Sequence, residues 1–245
     1  NDFDRILDNL LNLNGSFKLG KNKNDSVFKK LIKYTFGNQS SISFNKAKYF
    51  DRNTGLLIKD PFLLFASEYL SNNYRIIMCE RPLLPLVGSF KRMSWAFHEY
   101  SRLLKDFNNI GLDTNNSKKF DDSNISPFVV GAVQFFYLYT IFKDRIVNKE
   151  NIYFFNQHDL SVNPKNSISS LFDWLNIEYS KKDINKIAMS VSGSSKKHKS
   201  PKKGVQHDRM YNKKHANEYF ESILSEDEIK YVKKCEILIC SGGEI

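Results

Sequence analysis

The apolar positions of this chain fall into two patterns, short continuous runs and longer stripes at helical spacing. Continuous runs at residues 56–58, 74–79 and 152–155 predict buried strands. Stripes that recur every three or four positions predict helices between and after these runs. Because helical crossovers return the chain in the same direction, the alternation predicts a parallel sheet. The expected fold is α/β, with three layers and a central parallel β-sheet flanked by helices.

Each predicted helix has an apolar face, and some have a recognisable end signal. Ser225 and Glu228 form a capping box at the start of the last helix. Pro85 must lie in the first turn of its helix, since a proline further in would break it. Residues 108–124 are polar and predict a mobile loop. The predicted helices span residues 2–13, 25–36, 62–70, 83–107, 127–147, 166–175, 181–189 and 226–239.

The composition indicates the size of the domain and its net charge. With 245 residues, 41% of them apolar, the chain is long enough for a single domain, 1–245, with a sizeable core. The formal net charge of +10 indicates an anionic partner, such as a nucleotide, a phosphorylated or sulfated compound, nucleic acid or an acidic surface. A basic surface that is merely solvated is the alternative. Residues 196–214 are the most basic segment and fit either interpretation.

Cysteine usage and hydropathy indicate a compartment. The three cysteines show neither metal-ligand spacing nor a disulfide framework, which fits a reducing, cytoplasmic environment. Cys79 falls in a predicted buried strand and is expected to be a core residue. No apolar run reaches the roughly 18 residues that span a bilayer, so no membrane partner is expected. No metal site is predicted, and a homo-oligomer is left open.

Charged residues directly follow two of the predicted strands, where ligands bind in open parallel sheets. Lys59 and Asp60 follow the first strand, and Glu80 and Arg81 the second. A lysine there can neutralise charge on a transferred group, and a carboxylate can take a proton. Alternatively, these charges pair with their neighbours and have only a structural role.

Arg81 and Ser89 are the first candidates for binding an anion. Ser89 lies eight residues after Arg81, at or near the first turns of the next predicted helix. A helix start offers free N–H groups, and a guanidinium offers a fork of donors, so together they could hold one phosphate. The alternative is an Arg81 that pairs with Glu80 or Asp60 and a Ser89 on a helix surface.

Two further groups are candidates for chemistry. His98 lies on the long helix predicted at 83–107 and could act as a general base. Lys202, Lys203 and Gly204 could close on an anion, because glycine lets the backbone approach closely. A packing or surface histidine and a solvated run of charge are the respective alternatives.

The constellation around these residues resembles the sulfotransferases that use 3′-phosphoadenosine 5′-phosphosulfate (PAPS). The spacing of Arg81 and Ser89, with Lys91 and Arg92 after the serine, is similar to their 3′-phosphate-binding segment. Residues 56–68 resemble the L-K-D-P strand and helix of bacterial-type members. Residues 156–177 resemble the family's Y-E-D-L…D-P…L-F-x-F-L-G-L segment, and residues 202–204 its R-K-G loop.

The resemblance implies transfer of a sulfuryl group from PAPS to a hydroxyl or amine of a small-molecule or glycan acceptor. It implies a fold like that of the P-loop nucleotide kinases. Arg81 and Ser89 would hold the 3′-phosphate, residues 202–204 would close over it, and Lys59 would lie near the transferred group. Asp60 and His98 are the two candidates for the catalytic base.

The chain departs from the family pattern at three places. The P-K-S-G-T loop that binds the 5′-phosphosulfate is not present, so either an N-terminal strand and loop precede Asn1 or the chain is a divergent or inactive relative. Arg81 is followed directly by Pro82 instead of x-Pro. Lys59 and Asp60 stand where cytosolic members have K-T-H.

Two other function classes stay open. A nucleotide or small-molecule kinase shares the fold but needs a phosphate loop, which residues 15–22 match only in part because Asn22 replaces the hydroxyl residue. A basic nucleic-acid-binding protein would use residues 196–214, and its affinity would fall steeply with salt.

Overall fold

The computed structural model describes residues 5, 8, 9, 57, 59, 61–114, 120–191 and 218–241. The chain divides into two compact units, residues 1–61 and 62–245. In the first unit Arg5, Asp8 and Asn9 are helical, in agreement with the first predicted helix. The helix predicted at 25–36 lies outside the described residues. Leu57, the one described residue of the strand predicted at 56–58, lies in no regular element.

The second unit is α/β, and its described sheet consists of two parallel strands. β1 (Ile76–Glu80) pairs with β2 (Ile152–Asn156) in a register that places Glu80 opposite Asn156. The sequence predicts both strands and their parallel pairing, and both are confirmed. A wider sheet and a three-layer arrangement remain predictions.

Helices make up most of the described chain, and most of the predicted helices are confirmed. The capping box of the last helix is also confirmed, since Ser225 and Glu228 each accept a hydrogen bond from the other's backbone N–H. A 3₁₀ helix, Pro61–Ala66, leads into the first α-helix, and a second one spans Tyr219–Ser222. The α-helices are α1 (Ser67–Leu70), α2 (Leu83–Met93), α3 (Tyr100–Asn109), α4 (Pro127–Ile146), α5 (Gln157–Val162), α6 (Pro164–Leu175), α7 (Lys181–Val191) and α8 (Glu226–Cys240).

The single long helix predicted at 83–107 is wrong. It is two helices, because Ser94 adopts a left-handed conformation with φ of 54° and ends α2. The connecting segment then passes over α4 at Gly131, where a Cβ atom would lie 3.1 Å from the backbone nitrogen of Phe97. A glycine at this point of α4 therefore leaves room for the backbone of the connecting segment.

The main core lies between α4 and the elements around it. Val129, Val133 and Leu138 of α4 are completely buried, together with Leu83 and Val87 of α2. None of the helices in the described part of the chain combines the length and apolar character that crossing a membrane requires.

Two expectations about burial change in the structure. Cys79 is exposed, so its prediction as a core residue is wrong; side chains alternate along β1, and Met78 takes the buried position beside it. The loop predicted at 108–124 is anchored at Phe120, which is fully buried and packs against the tilted ring of Tyr137 at a centroid distance of 4.7 Å.

Candidate anion-binding site

Arg81 and Ser89 meet directly beyond the end of β1. Arg81 is the first residue after the strand, and its Nη1 atom donates a hydrogen bond of 2.7 Å to the Oγ atom of Ser89. Ser89 is the seventh residue of α2, which begins at Leu83. The structure therefore joins the two residues that the sequence singles out at the carboxyl end of a parallel strand, where ligands bind in such sheets.

The start of α2 offers few backbone donors to an anion. Pro85 has no N–H group, and the N–H of Leu86 is bonded to the carbonyl of Pro82 at 3.2 Å. Ser89 lies in the second turn, beyond the four N–H groups that a helix start leaves unbonded. An anion beside Ser89 would therefore be bound mainly by side chains, as the predicted pairing of a guanidinium with a hydroxyl implies.

Tyr219 completes the hydrogen-bonded group from a distant part of the chain. Its hydroxyl lies 2.5 Å from Oγ of Ser89 and donates to the carbonyl oxygen of Pro85 at 3.3 Å. Because a phenol has one proton, Ser89 must donate to Tyr219 when Tyr219 donates to Pro85. The bonds then run in one direction, from Arg81 through Ser89 and Tyr219 to Pro85.

Arg92 brings a second guanidinium group to the same tyrosine. Its Cζ atom lies 5.8 Å from the ring centroid of Tyr219, and that of Arg81 lies 5.6 Å from it. Both distances are within the range of cation–π attraction. Arg92 follows Ser89 by three residues, so the two side chains lie about one helical turn apart on one face of α2.

The electrostatic environment of these arginines suits an anion. Burial lowers the pKa of the Arg81 guanidinium below its usual value; the phenol of Tyr219 opposes this shift, and the charge of Arg92 adds to it. The Nε and Nη1 atoms of Arg92 are buried and have no hydrogen-bond partner within the described residues. Buried donors without acceptors are unfavourable, so a negatively charged group would be stabilised here.

Two contacts place Tyr219 against α2. A Cβ atom on Gly88 would lie 2.8 Å from Cβ of Phe220, so only a glycine lets the 3₁₀ helix approach this closely. Lys91 forms an ion pair of 2.5 Å with Glu228 in the first turn of α8. The capping box and the ion pair thus fix the chain just after the tyrosine.

A second polar cluster lies at the same sheet end. The Oε1 atom of Glu80 accepts hydrogen bonds of 2.5 Å from both Tyr139 and Lys143 on α4. Burial and this hydrogen bond raise the pKa of the Tyr139 phenol. Lys143 also lies 5.0 Å from the ring centroid of Phe154 on β2. Glu80 therefore fixes α4 to the strand, and its carboxylate is bound by a cation other than Arg81.

Of the other candidate residues from the sequence, only His98 and Lys59 belong to the described part of the chain. His98 is exposed and lies in the turn between α2 and α3, so its predicted place on a long helix is wrong. Lys59 is described, but it belongs to the unit formed by residues 1–61. Asp60, Lys202, Lys203 and Gly204 lie outside the described residues, and their roles stay predictions.

Sequence reasoning missed Tyr219 as a site residue and gave Arg92 no role of its own. The helical spacing from Ser89 to Arg92 was a usable signal, because residues three apart share a helix face. Tyr219 lies 130 residues from Ser89 along the chain, and nothing in its local sequence marks it.

Comparison with known proteins gives no family for this chain. No protein-family model, no curated protein and no solved structure matches it. Any statement about function therefore depends on the residues described above.

Proposed function

We propose that this chain binds a 3′-phosphorylated adenine nucleotide and acts as a sulfotransferase that uses PAPS as its donor. The observation that supports the proposal is the hydrogen bond between Arg81 and Ser89 beyond the carboxyl end of β1. The resemblance to sulfotransferases implies that these two residues bind a 3′-phosphate. Their closeness in space supports this role, because one phosphate can contact both only if they converge.

The described residues fit a phosphate chemically. Arg81 offers guanidinium donors, Ser89 offers a hydroxyl, and the charge of Arg92 lies beside them. Charge-assisted hydrogen bonds from arginine to phosphate are among the strongest in proteins. The donor would supply the sulfuryl group, and these residues would bind and orient the nucleotide that holds it.

The finer parts of the proposal come from the resemblance. The fold would be a three-layer sheet like that of the P-loop nucleotide kinases. Lys59 would lie near the transferred group, Asp60 or His98 would take the proton of the acceptor, and Lys202, Lys203 and Gly204 would close over the 3′-phosphate. The acceptor would be a hydroxyl or amine of a small molecule or glycan.

Thermal unfolding with different ligands tests this proposal against its alternatives. Adenosine 3′,5′-bisphosphate at about 100 times its dissociation constant should raise the free energy of unfolding by about 2.7 kcal/mol. ATP with magnesium and a single-stranded oligonucleotide are the comparison ligands. Stabilisation by ATP with magnesium but not by the bisphosphate would indicate a kinase instead. Stabilisation by the oligonucleotide alone, weakening steeply with salt, would indicate a nucleic-acid-binding protein.

A further inference from the structure

We infer that the guanidinium of Arg92 binds the anion together with that of Arg81, and that the hydroxyl of Tyr219 closes the site by its hydrogen bond with Ser89. The nucleotide identity of the ligand rests on the proposed function, but the role of these two residues applies to any small oxyanion.

The hydroxyl of Tyr219 occupies a hydrogen-bonding position of Ser89. Ser89 accepts from Arg81, and the Tyr219 hydroxyl lies 2.5 Å from its Oγ atom in a bond in which either hydroxyl can be the donor. When Tyr219 donates to Pro85, Ser89 donates its single proton to Tyr219. In that arrangement an oxygen of phosphate or sulfate, which can only accept, binds Ser89 only after the hydroxyl of Tyr219 moves away.

Arg92 has donors for such an anion. Its Nε and Nη1 atoms are the two buried side-chain nitrogens without a partner noted above, and its guanidinium lies over the same ring as that of Arg81. Cation–π contact with Tyr219 stabilises both charges in part, but it satisfies no N–H group. A phosphate presents several oxygens to planar guanidinium groups and would satisfy these donors directly.

Opening the site requires the motion of one side chain. Phe220 is packed against Gly88, and the turn is closed by hydrogen bonds from Ile223 to Phe220 and from Ser222 to Tyr219. These contacts involve the backbone of the 3₁₀ helix and the ring of Phe220, and none of them depends on the tyrosine hydroxyl. A change of the Tyr219 rotamer therefore leaves these contacts of the turn in place.

Two positive charges and one hydroxyl favour a dianion as ligand. A phosphomonoester or inorganic phosphate has that charge near neutral pH, as does sulfate. The site therefore binds a dianion in competition with the hydroxyl of Tyr219. Removal of that hydroxyl should strengthen anion binding instead of weakening it.

Titration calorimetry with adenosine 3′,5′-bisphosphate and with inorganic phosphate tests the inference on the full chain. Tyr219→Phe keeps the ring over both guanidinium groups and frees Ser89, so affinity for both ligands should rise about three- to tenfold. Arg92→Gln removes a charged ligand, so affinity should fall about ten- to a hundredfold. Arg92→Lys keeps the charge but loses the planar N–H donors of the guanidinium, so its affinity should lie between those of the wild type and Arg92→Gln.

Matched variants elsewhere provide the controls. Tyr179→Phe removes a hydroxyl that donates to Asp173, and Arg102→Gln removes an exposed charge on α3; neither should change affinity. The inference is overturned if Tyr219→Phe binds the ligands more weakly or equally well, or if neither Arg92 variant changes the affinity. In that case binding of the bisphosphate would still support the proposed function. If the bisphosphate fails to bind but phosphate binds in a manner that depends on Arg92, the inference holds and the nucleotide function fails.

Discussion

The Nη1 atom of Arg81 and the Oγ atom of Ser89 are 2.7 Å apart, although one follows a strand and the other lies in the second turn of a helix. The turn between them begins with Pro82, whose fixed φ leads the chain from β1 into α2. This local geometry brings a guanidinium and a hydroxyl together at the sheet end. The site thus depends on a short stretch of chain, to which Tyr219 is added from far away.

The close packing of Gly88 against Phe220 predicts a coupled effect on stability. Gly88→Ala would place a methyl group 2.8 Å from Cβ of Phe220, and such overpacking costs about 1–3 kcal/mol, against a helix-propensity gain of about 1 kcal/mol. The urea midpoint should fall. In a Phe220→Gly background the Cβ atom at 2.8 Å is gone and only the backbone Cα at 3.1 Å remains, so the same substitution should cost less. A fall of equal size in both backgrounds would contradict this assignment.

The ion pair between Lys91 and Glu228 should contribute more to stability than the capping box of α8. Glu228→Gln keeps a side chain that can cap the helix but leaves the Lys91 ammonium without its counter-charge. Because the side chain of Lys91, which keeps its charge, is 28% exposed, water moderates the penalty and the cost should be about 2 kcal/mol. Ser225→Ala, which removes only the cap, should cost about 1 kcal/mol. Chemical denaturation measures both, and equal costs would assign the effect to capping alone.

The buried phenol of Tyr139 predicts a loss of stability in alkali. Burial and the bond to Glu80 raise its pKa in the folded state, so the unfolded chain releases the proton first. The contribution of the Tyr139 phenol to the free energy of unfolding is complete below about pH 10 and falls as the pH rises further. Tyr139→Phe should be less stable by about 1 kcal/mol near neutral pH, and the gap should narrow above about pH 10. A gap that stays constant from about pH 8 to about pH 11 would contradict the assigned cause.

The sequence identifies the parts of the fold that depend on local signals. The strands at β1 and β2, the start of α4 at Pro127 and the capping box of α8 all follow from nearby residues, whereas α6 begins at Pro164, two residues before its predicted start. The break at Ser94 could not be predicted in this way. Serine is neither glycine nor proline, and apolar stripes continue on both sides of it. The helix ends at this left-handed residue with a hydrogen bond from Trp95 back to the carbonyl of Phe90, and the segment that follows packs on Gly131.

In the candidate site, too, some residues could be predicted from local sequence and others depend on packing. Arg81 and Ser89 could be paired from sequence because they are separated by one turn and part of a helix. Tyr219 could not, because its position depends on how the 3₁₀ helix and α8 pack on α2. Cys79 is wrongly predicted as buried from a local pattern, because an apolar run does not reveal which face of a strand other elements cover.

The most direct test of a 3′-phosphate site at Arg81 is the affinity ratio between adenosine 3′,5′-bisphosphate and adenosine 5′-monophosphate. Arg75 provides a matched control, because it precedes β1 and lies 5.7 Å from the ring centroid of Trp174, much as Arg81 follows the strand and lies over Tyr219. The account predicts that the wild type and Arg75→Gln prefer the bisphosphate by about tenfold or more, and that Arg81→Gln loses this preference. Equal affinity of the wild type for both nucleotides, or an undiminished preference in Arg81→Gln, would contradict it.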